Sequence, residues 1–478
     1  MNAKLLQKVY EPDSFRQQGH QLIDLLADHL ESSLNGRGEK VINYSSPEEE
    51  MEFWRGFFNA GSGSDFFQEV LRHTTHVHHP RYIGHQVCAP APQAALCGLV
   101  SSILNNGMAV YEMGMAPTAM ERLVTDLLAQ KIGFGEGSRG ILTSGGTLAN
   151  LTALLSARKA VLQEDVWLEG HGKRLAVMVS EEAHYCIDRA ARIMGLGTEG
   201  IIKVPVKADF SIDTSLLKQA YEAASNKGLH IFALVGSAPS TATGVYDDLD
   251  TLADFCKEKG LWFHVDAAHG GAAVFSKKYR KTMQGIDRAD SVVIDGHKMM
   301  LMSTITTALL FRDGSHSHTT FSQEAEYLLQ HSDEEDWFNL AKRTFECTKT
   351  MMSLQWYLLW KTYGEELFDA NVTTLYDLGG TLAGMIEADP HLELATAPHS
   401  NIVCFRFVEP GLSSGKLDQI NKEIRQELLE DGVFYIVQTR IKGTQYLRCT
   451  IMNPFTTEEH LRALLDRILN TGRNRISA

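Results

Sequence analysis

Apolar positions change their period along this chain. In residues 14–35, Leu22, Ile23, Leu25, Leu26 and Leu30 fall on one helical face, which predicts an amphipathic helix near the N-terminus. The middle of the chain instead alternates short apolar runs with helical patterns. RLAVMVS (174–180), HIFALVGS (230–237), LWFHVDAA (261–268), DSVVIDGHK (290–298) and TTALLFRD (306–313) predict buried strands. Residues 247–259 predict one of the helices between them. Such alternation predicts a mostly parallel sheet with helices on both faces. Ligands of these sheets sit beyond the carboxyl ends of the strands.

After about residue 365 the pattern shifts. NIVCFRFVEP predicts a strand and KLDQINKEIRQELLEDG a helix. VFYIVQTRIKGTQYLRCTIM predicts two strands around a Lys442-Gly443 turn. TTEEHLRALLDRIL predicts a helix capped by Thr456 or Thr457. The expected organisation is a helical segment over 1–95, a large α/β domain over 96–365 and a small α+β domain over 366–478.

Charge and cysteine content narrow the partners. The formal net charge of −14 argues against nucleic acid or an anionic membrane. The seven cysteines are scattered without a C-x-x-C pair, a pattern of free thiols in a reducing, cytoplasmic setting. The opening MNAKLLQKVYEPD is charged too early for a secretion signal. Val87 to Tyr111 carries no charge, but Pro90, Pro92, Asn105, Asn106 and Gly107 interrupt it. That composition predicts a buried helix or a subunit interface rather than a membrane span.

Three short segments carry candidate chemistry. In ILTSGGTLANLTALLSARKA (141–160), Leu148, Leu151, Leu154 and Leu155 mark a helix that Ser-Gly-Gly-Thr opens. Glycines there let backbone N–H groups approach an anion, and the helix dipole favours one. Gly-Gly before a helix also serves as a plain tight turn. The segment is neither a Walker loop nor G-x-G-x-x-G. In FHVDAAHGG (263–271), Asp266 ends an apolar strand, where a carboxylate either caps a turn or faces a ligand. In VVIDGHK (292–298), Lys298 also follows a strand. Such a lysine is either a solvated loop residue or, if burial depresses its pKa, a nucleophile that forms Schiff bases.

Taken together, a phosphate cradle, a strand-end Asp and a strand-end Lys are what pyridoxal phosphate requires. An Asp paired with the pyridine nitrogen at about 4 Å is worth on the order of 4 kcal/mol at an effective dielectric near 20.

The chain resembles the group II pyridoxal-phosphate-dependent amino-acid decarboxylases, which include glutamate, aromatic and 2,4-diaminobutyrate decarboxylases. HVDAAHGG followed by DGHK carries the resemblance most specifically, with SEEAHYCIDRAARIMGLG (180–197) in support. The resemblance implies an α/β, fold-type I transferase-like architecture, a homodimer and decarboxylation of an L-amino acid. Lys298 would be the Schiff-base lysine, Asp266 the partner of the pyridine nitrogen and His184 the residue stacked on the ring. Gly146 and Thr147 would hold the phosphate, Thr241 and His297 would lie beside the cofactor, and Ala268 would pack on a ring face. Tyr327 resembles the tyrosine that returns a proton after carbon dioxide leaves. Arg448 would pair with the substrate carboxylate, and HHPRYIGH, with His79, would line the substrate pocket.

Asp295-Gly296 stand where glutamate and aromatic enzymes usually have Asn-Pro, so a carboxylate replaces an amide beside the phosphate. This Asp, with HPRYIGH (79–85), resembles the diaminobutyrate branch. L-2,4-diaminobutyrate is therefore the expected substrate, ahead of aromatic amino acids, glutamate and aspartate. Decarboxylation-dependent oxidative deamination is the rival reaction, and a non-catalytic pyridoxal-phosphate-binding scaffold the rival class. His73, His76, His78, His79 and His85 invite a zinc reading, but no H-E-x-x-H or cysteine pair accompanies them, so no metal is expected.

Overall fold

The computed structural model describes residues 2–477 except 39, 61–62, 64, 163–164 and 322–336. The described residues gather into two units. One takes Met1–His85, Met385–Glu393 and Arg406–Ala478, and the other Gln86–Gly384 and Leu394–Phe405.

The second unit is built on a seven-stranded sheet. Its strands are β1 (Arg139–Thr143), β2 (Arg174–Ser180), β3 (Ile201–Val204), β4 (Leu229–Ser237), β5 (Trp262–Asp266), β6 (Ser291–Asp295) and β7 (Thr307–Phe311). The order is β1-β7-β6-β5-β4-β2-β3. Neighbours from β6 through β3 run parallel, whereas β7 is antiparallel to both β1 and β6. β2, β4, β5 and β7 begin and end within two residues of the predicted runs. β6 is the informative exception, because it stops at Asp295 and leaves Lys298 on the turn beyond. Gly296 permits that turn: a Cβ there would sit 2.6 Å from both Met302 Sδ and the Trp356 ring.

Two helices matter for the site. Gly146–Val161 and Tyr185–Ile193 pack on the strands through one apolar cluster that includes Leu151, Leu154, Ile187, Phe232, Trp262 and Phe311. Leu151 and Leu154 each contribute about 2 kcal/mol of burial free energy. This packing fixes the N-terminus of the first helix against the carboxyl edge of the sheet.

A second, four-stranded sheet has the order β10-β11-β9-β8, formed by β8 (Leu392–Leu394), β9 (Ile402–Phe407), β10 (Val437–Ile441) and β11 (Thr444–Thr450). β10 and β11 form the expected hairpin, with Lys442 and Gly443 both at positive φ in the turn. Helices Ser414–Asp431 and Glu458–Ser477 follow the predicted pattern, and Thr457 caps the second, its Oγ1 accepting from His460 N. Among the described residues no helix is long and apolar enough to cross a membrane. The uncharged 87–111 stretch holds helix Pro92–Leu104, whose Leu96, Leu99, Val100, Ile103 and Leu104 are exposed on the single chain.

Candidate active site

The carboxyl ends of β1, β4, β5 and β6 open onto a cavity of about 220 Å³. Gly146, Thr147, His184, Thr241, Asp266, Ala268, His297 and Lys298 all line it, so every residue assigned to the cofactor by sequence reaches one place.

The wall at β1 is the turn into helix Gly146–Val161. Gly145 stands before the helix at φ +105°, a conformation that favours glycine. A Cβ on Gly145 would lie 2.6 Å from Ile305 Cδ1, and one on Gly146 would lie 3.3 Å from Asp295 Oδ1. Bare backbone is thus what keeps this corner open. The helix start leaves its first N–H groups without intrahelical partners, as an anion site requires.

Across the cavity, Asp266 ends β5. Its Oδ1 accepts from Ala268 N at 3.2 Å and its Oδ2 from Asn150 Nδ2 at 3.1 Å. His184 caps helix Tyr185–Ile193, its Nδ1 accepting from Cys186 N at 3.3 Å. Burial holds the His184 imidazole below its usual range, against the pull of Asp266, so the ring is neutral at pH 7.

Lys298 departs from expectation. Burial alone would lower the pKa of its amine, as the sequence suggested. Asp295 reverses the outcome, with Oδ2 at 2.9 Å from Lys298 Nζ, and the amine is held above its ordinary value. Burial likewise pushes the Asp295 carboxyl up, but Lys298, His297 and the donated hydroxyl of Thr307 outweigh it and the net shift is downward. Both directions describe one ion pair, with side chains 18% and 2% exposed. Asp295 therefore meets the cavity with its charge matched by Lys298. His297 completes the corner, Nδ1 bonded to Thr306 O at 2.8 Å and Nε2 at 3.7 Å from Asp295 Oδ2.

This donor set fits pyridoxal phosphate. A helix N-terminus with two glycines, a carboxylate and a buried amine surround one cavity, and each matches a different part of that molecule. The comparison with known proteins agrees: residues 64–408 match the pyridoxal-dependent decarboxylase conserved domain. The chain belongs to the pyridoxal-dependent decarboxylase family. It is a carboxy-lyase that uses pyridoxal phosphate to decarboxylate an amino acid, and its fold is fold-type I. The L-2,4-diaminobutyrate decarboxylase of Acinetobacter baumannii is 29% identical over 415 residues, covering 84% of this chain and 81% of that one. The aromatic-L-amino-acid decarboxylase of Bacillus atrophaeus is 27% identical over 481 residues, covering 95% of each. Among solved structures, mouse CSAD superposes with a TM-score of 0.89 at 25% identity, covering 97% of this chain and 99% of that one.

Three further sequence-predicted residues are not among the described lining. Tyr327 lies outside the described residues. His79 and Arg448 belong to the other unit. The buried His79 ring has both nitrogens engaged: Nε2 meets Gly38 O at 3.1 Å and Nδ1 accepts from Arg81 N at 3.1 Å. Arg448 is also buried, on β11 opposite Val437. The histidine-rich stretch has separate partners, His73 with Glu50 and His76 with Leu71 O. Among the described residues, no group of three or more His, Cys, Asp or Glu side chains is arranged to hold a metal.

Sequence reasoning missed Asn150, Cys186 and His269, which also line the cavity of this decarboxylase. Asn150 was findable, since it lies four residues after Gly146 and so on the same helical face. His269 Nε2 contacts Asn401 Oδ1 at 2.7 Å, a pairing across 132 residues that no local pattern announces.

Proposed function

We propose that the enzyme removes the α-carboxyl group of L-2,4-diaminobutyrate, releasing carbon dioxide and the corresponding diamine. The observation that carries this choice is the alignment with the A. baumannii L-2,4-diaminobutyrate decarboxylase. Asp295 adds support, because it stands where a glutamate or aromatic enzyme is expected to carry Asn.

When bound, pyridoxal phosphate supplies an aldehyde for amine exchange and a ring that accepts the electron pair left behind by carbon dioxide. The chain's own residues do the rest. Gly146 and Thr147 would hold the phosphate, with Thr241 and His297 beside it. Asp266 would hold a proton at the pyridine nitrogen. His184 and Ala268 would pack on the two ring faces and exclude water. Lys298 Nζ would carry the cofactor between turnovers and release the product amine. Arg448 would grip the substrate carboxylate bidentately, with His79 supporting that wall, and Tyr327 would return a proton to Cα.

The proposal includes a homodimer. Leu96, Leu99, Val100 and Ile103 recur at helical spacing, forming an exposed apolar row that a second copy would cover. It also includes a cytoplasmic setting, supported by seven free cysteines, six of them buried.

A panel of amino acids assayed for carbon dioxide and amine tests the substrate. Diaminobutyrate should give the highest kcat/KM, with amine and carbon dioxide in equal amounts. A better aromatic or acidic substrate would overturn the assignment, and an aldehyde with ammonia would point to oxidative deamination. Lys298→Ala should abolish turnover, and retained turnover would defeat the assigned roles.

A further inference from the structure

Asp266 is backed by more than its own turn. Asn150 Nδ2 reaches its Oδ2, and the contacts continue away from the cavity. Asn150 Oδ1 lies 2.7 Å from His264 Nε2, His264 Nδ1 lies 2.8 Å from Ser291 Oγ, and Ser291 Oγ lies 2.8 Å from Trp262 Nε1. All four residues are buried, His264 and Ser291 completely.

With a neutral imidazole, one arrangement of protons uses every contact. An indole N–H donates and cannot accept, so Ser291 Oγ accepts from Trp262. The Ser291 hydroxyl then donates to His264 Nδ1. Burial pushes the His264 pKa down to about 4, so the ring is neutral and its proton sits on Nε2. That N–H donates to Asn150 Oδ1, which fixes the orientation of the amide. The Asn150 amide protons then face Asp266 Oδ2 and, at 3.4 Å, Cys186 Sγ.

The fold explains how the chain of bonds is assembled. Trp262, His264 and Asp266 are alternate residues of β5, so their side chains share one face. The β5–β6 register places His264 opposite Ser291. Asn150 comes from the first turns of helix Gly146–Val161. Packing alone gives no reason for four linked polar groups in a dry core, where apolar residues of the same shape would serve.

We propose that Trp262, Ser291, His264 and Asn150 form a one-way hydrogen-bond chain that positions the Asp266 carboxylate against the pyridine nitrogen of the cofactor. This rests on the reading that Asp266 faces that nitrogen. Asn150 lines the cavity, whereas Trp262, His264 and Ser291 act through it as positioning residues. The other titratable groups around Asp266 are His184, Cys186, Lys298 and Asp295, and none belongs to the chain.

The test titrates apoenzyme with pyridoxal phosphate and follows the absorbance of the bound cofactor against pH. His264→Phe keeps the ring shape and removes two links without touching the cavity. It should weaken cofactor binding about tenfold, the effect of one lost buried hydrogen bond, and move the ring-nitrogen titration to lower pH. Asn150→Leu should do more and Trp262→Phe less. Unchanged affinity and titration in His264→Phe, with only a lower melting temperature, would reduce the chain to a structural role and overturn the proposal. If His264→Phe does not fold, Ser291→Ala gives the same reading through the loss of the donor to Nδ1. Asp266→Asn separates the two levels: if it leaves affinity and titration unchanged, the reading of Asp266 itself fails. Independently of any cofactor, 15N-labelled histidine in the apoprotein should report His264 as the neutral Nε2–H form at neutral pH. An Nδ1–H form or an imidazolium would also overturn the proposal.

Discussion

Replacing Asp295 with Asn should make Lys298 more reactive while making the apoprotein less stable. The two charges are 2.9 Å apart, and at an effective dielectric near 20 their attraction is about 6 kcal/mol. Burial opposes both charges, so the net worth of the pair is smaller. Removing one partner of a buried pair costs about 3–5 kcal/mol if the other charge remains. Lys298 avoids part of that cost by releasing its proton, and the neutral amine is the form that attacks an aldehyde. The Asp295→Asn apoprotein should therefore take up pyridoxal phosphate about tenfold faster near neutral pH, and its uptake profile should move to lower pH. The stability effect has a definite sign. Asp295, lowered in the fold, stabilises above the unfolded carboxyl value of about 3.9 and loses that stability as pH falls through its folded pKa. Lys298, raised in the fold, stabilises below the unfolded amine value of about 10.4 and loses it as pH rises through its folded pKa. The variant should be less stable across the whole interval between. Stopped-flow absorbance after mixing apoprotein with cofactor over a pH series gives the rates, and denaturant melts give the stability. An uptake profile identical to wild type would show that Asp295 does not set the protonation of Lys298, and the ion-pair reasoning would fall.

Other perturbations follow from single contacts. Gly145→Ala forces a Cβ onto a residue at φ +105°; it should cost about 2 kcal/mol in a denaturant melt and weaken competition by inorganic phosphate against cofactor binding. Burial pushes the Asp247 carboxyl up to about 6 even though it accepts from Ile212 N and Ser237 N at 2.8 Å. Its contribution is full below about pH 4 and lost as pH rises through about 6, roughly 3 kcal/mol in all, so Asp247→Asn should flatten that part of a urea-melt series. Ile103→Glu, in the exposed apolar row, should lower the mass measured by light scattering from dimer to monomer; an unchanged dimer would move the interface elsewhere.

Much of this architecture was legible because buried parallel strands advertise themselves as unbroken apolar runs. RLAVMVS became β2 without a residue's difference at either end. β3 was passed over because IIKV is a four-residue edge strand, only partly buried, with a lysine in it. β1 was hidden by its own sequel, since the Gly-Gly turn drew the reading towards the helix. His184, Thr241, Ala268 and His297 were singled out only through the family resemblance, whereas the Gly145-Gly146 turn, Asp266 and Lys298 were legible for a related reason, because each sits at a strand end or helix start. The charge state of Lys298 was not, because the sign depends on whether Asp295 points at the amine or away from it. The bonds behind Asp266 were also invisible, since His264 meets Ser291 only through strand register and Asn150 only through helix packing.

The direction of β7 has a mechanical consequence. Because β7 runs back alongside β6, Lys298 is carried by the short loop 296–306 of a hairpin rather than by a long crossover. Both ends of that loop are tied together, Gly296 N to Thr306 O at 3.0 Å and the Thr307 hydroxyl to Asp295. A short closed loop has little conformational freedom to lose when its lysine is fixed in place. The amine is thus presented from a stiff mount, and its reach is set by its own four methylenes rather than by movement of the backbone beneath it.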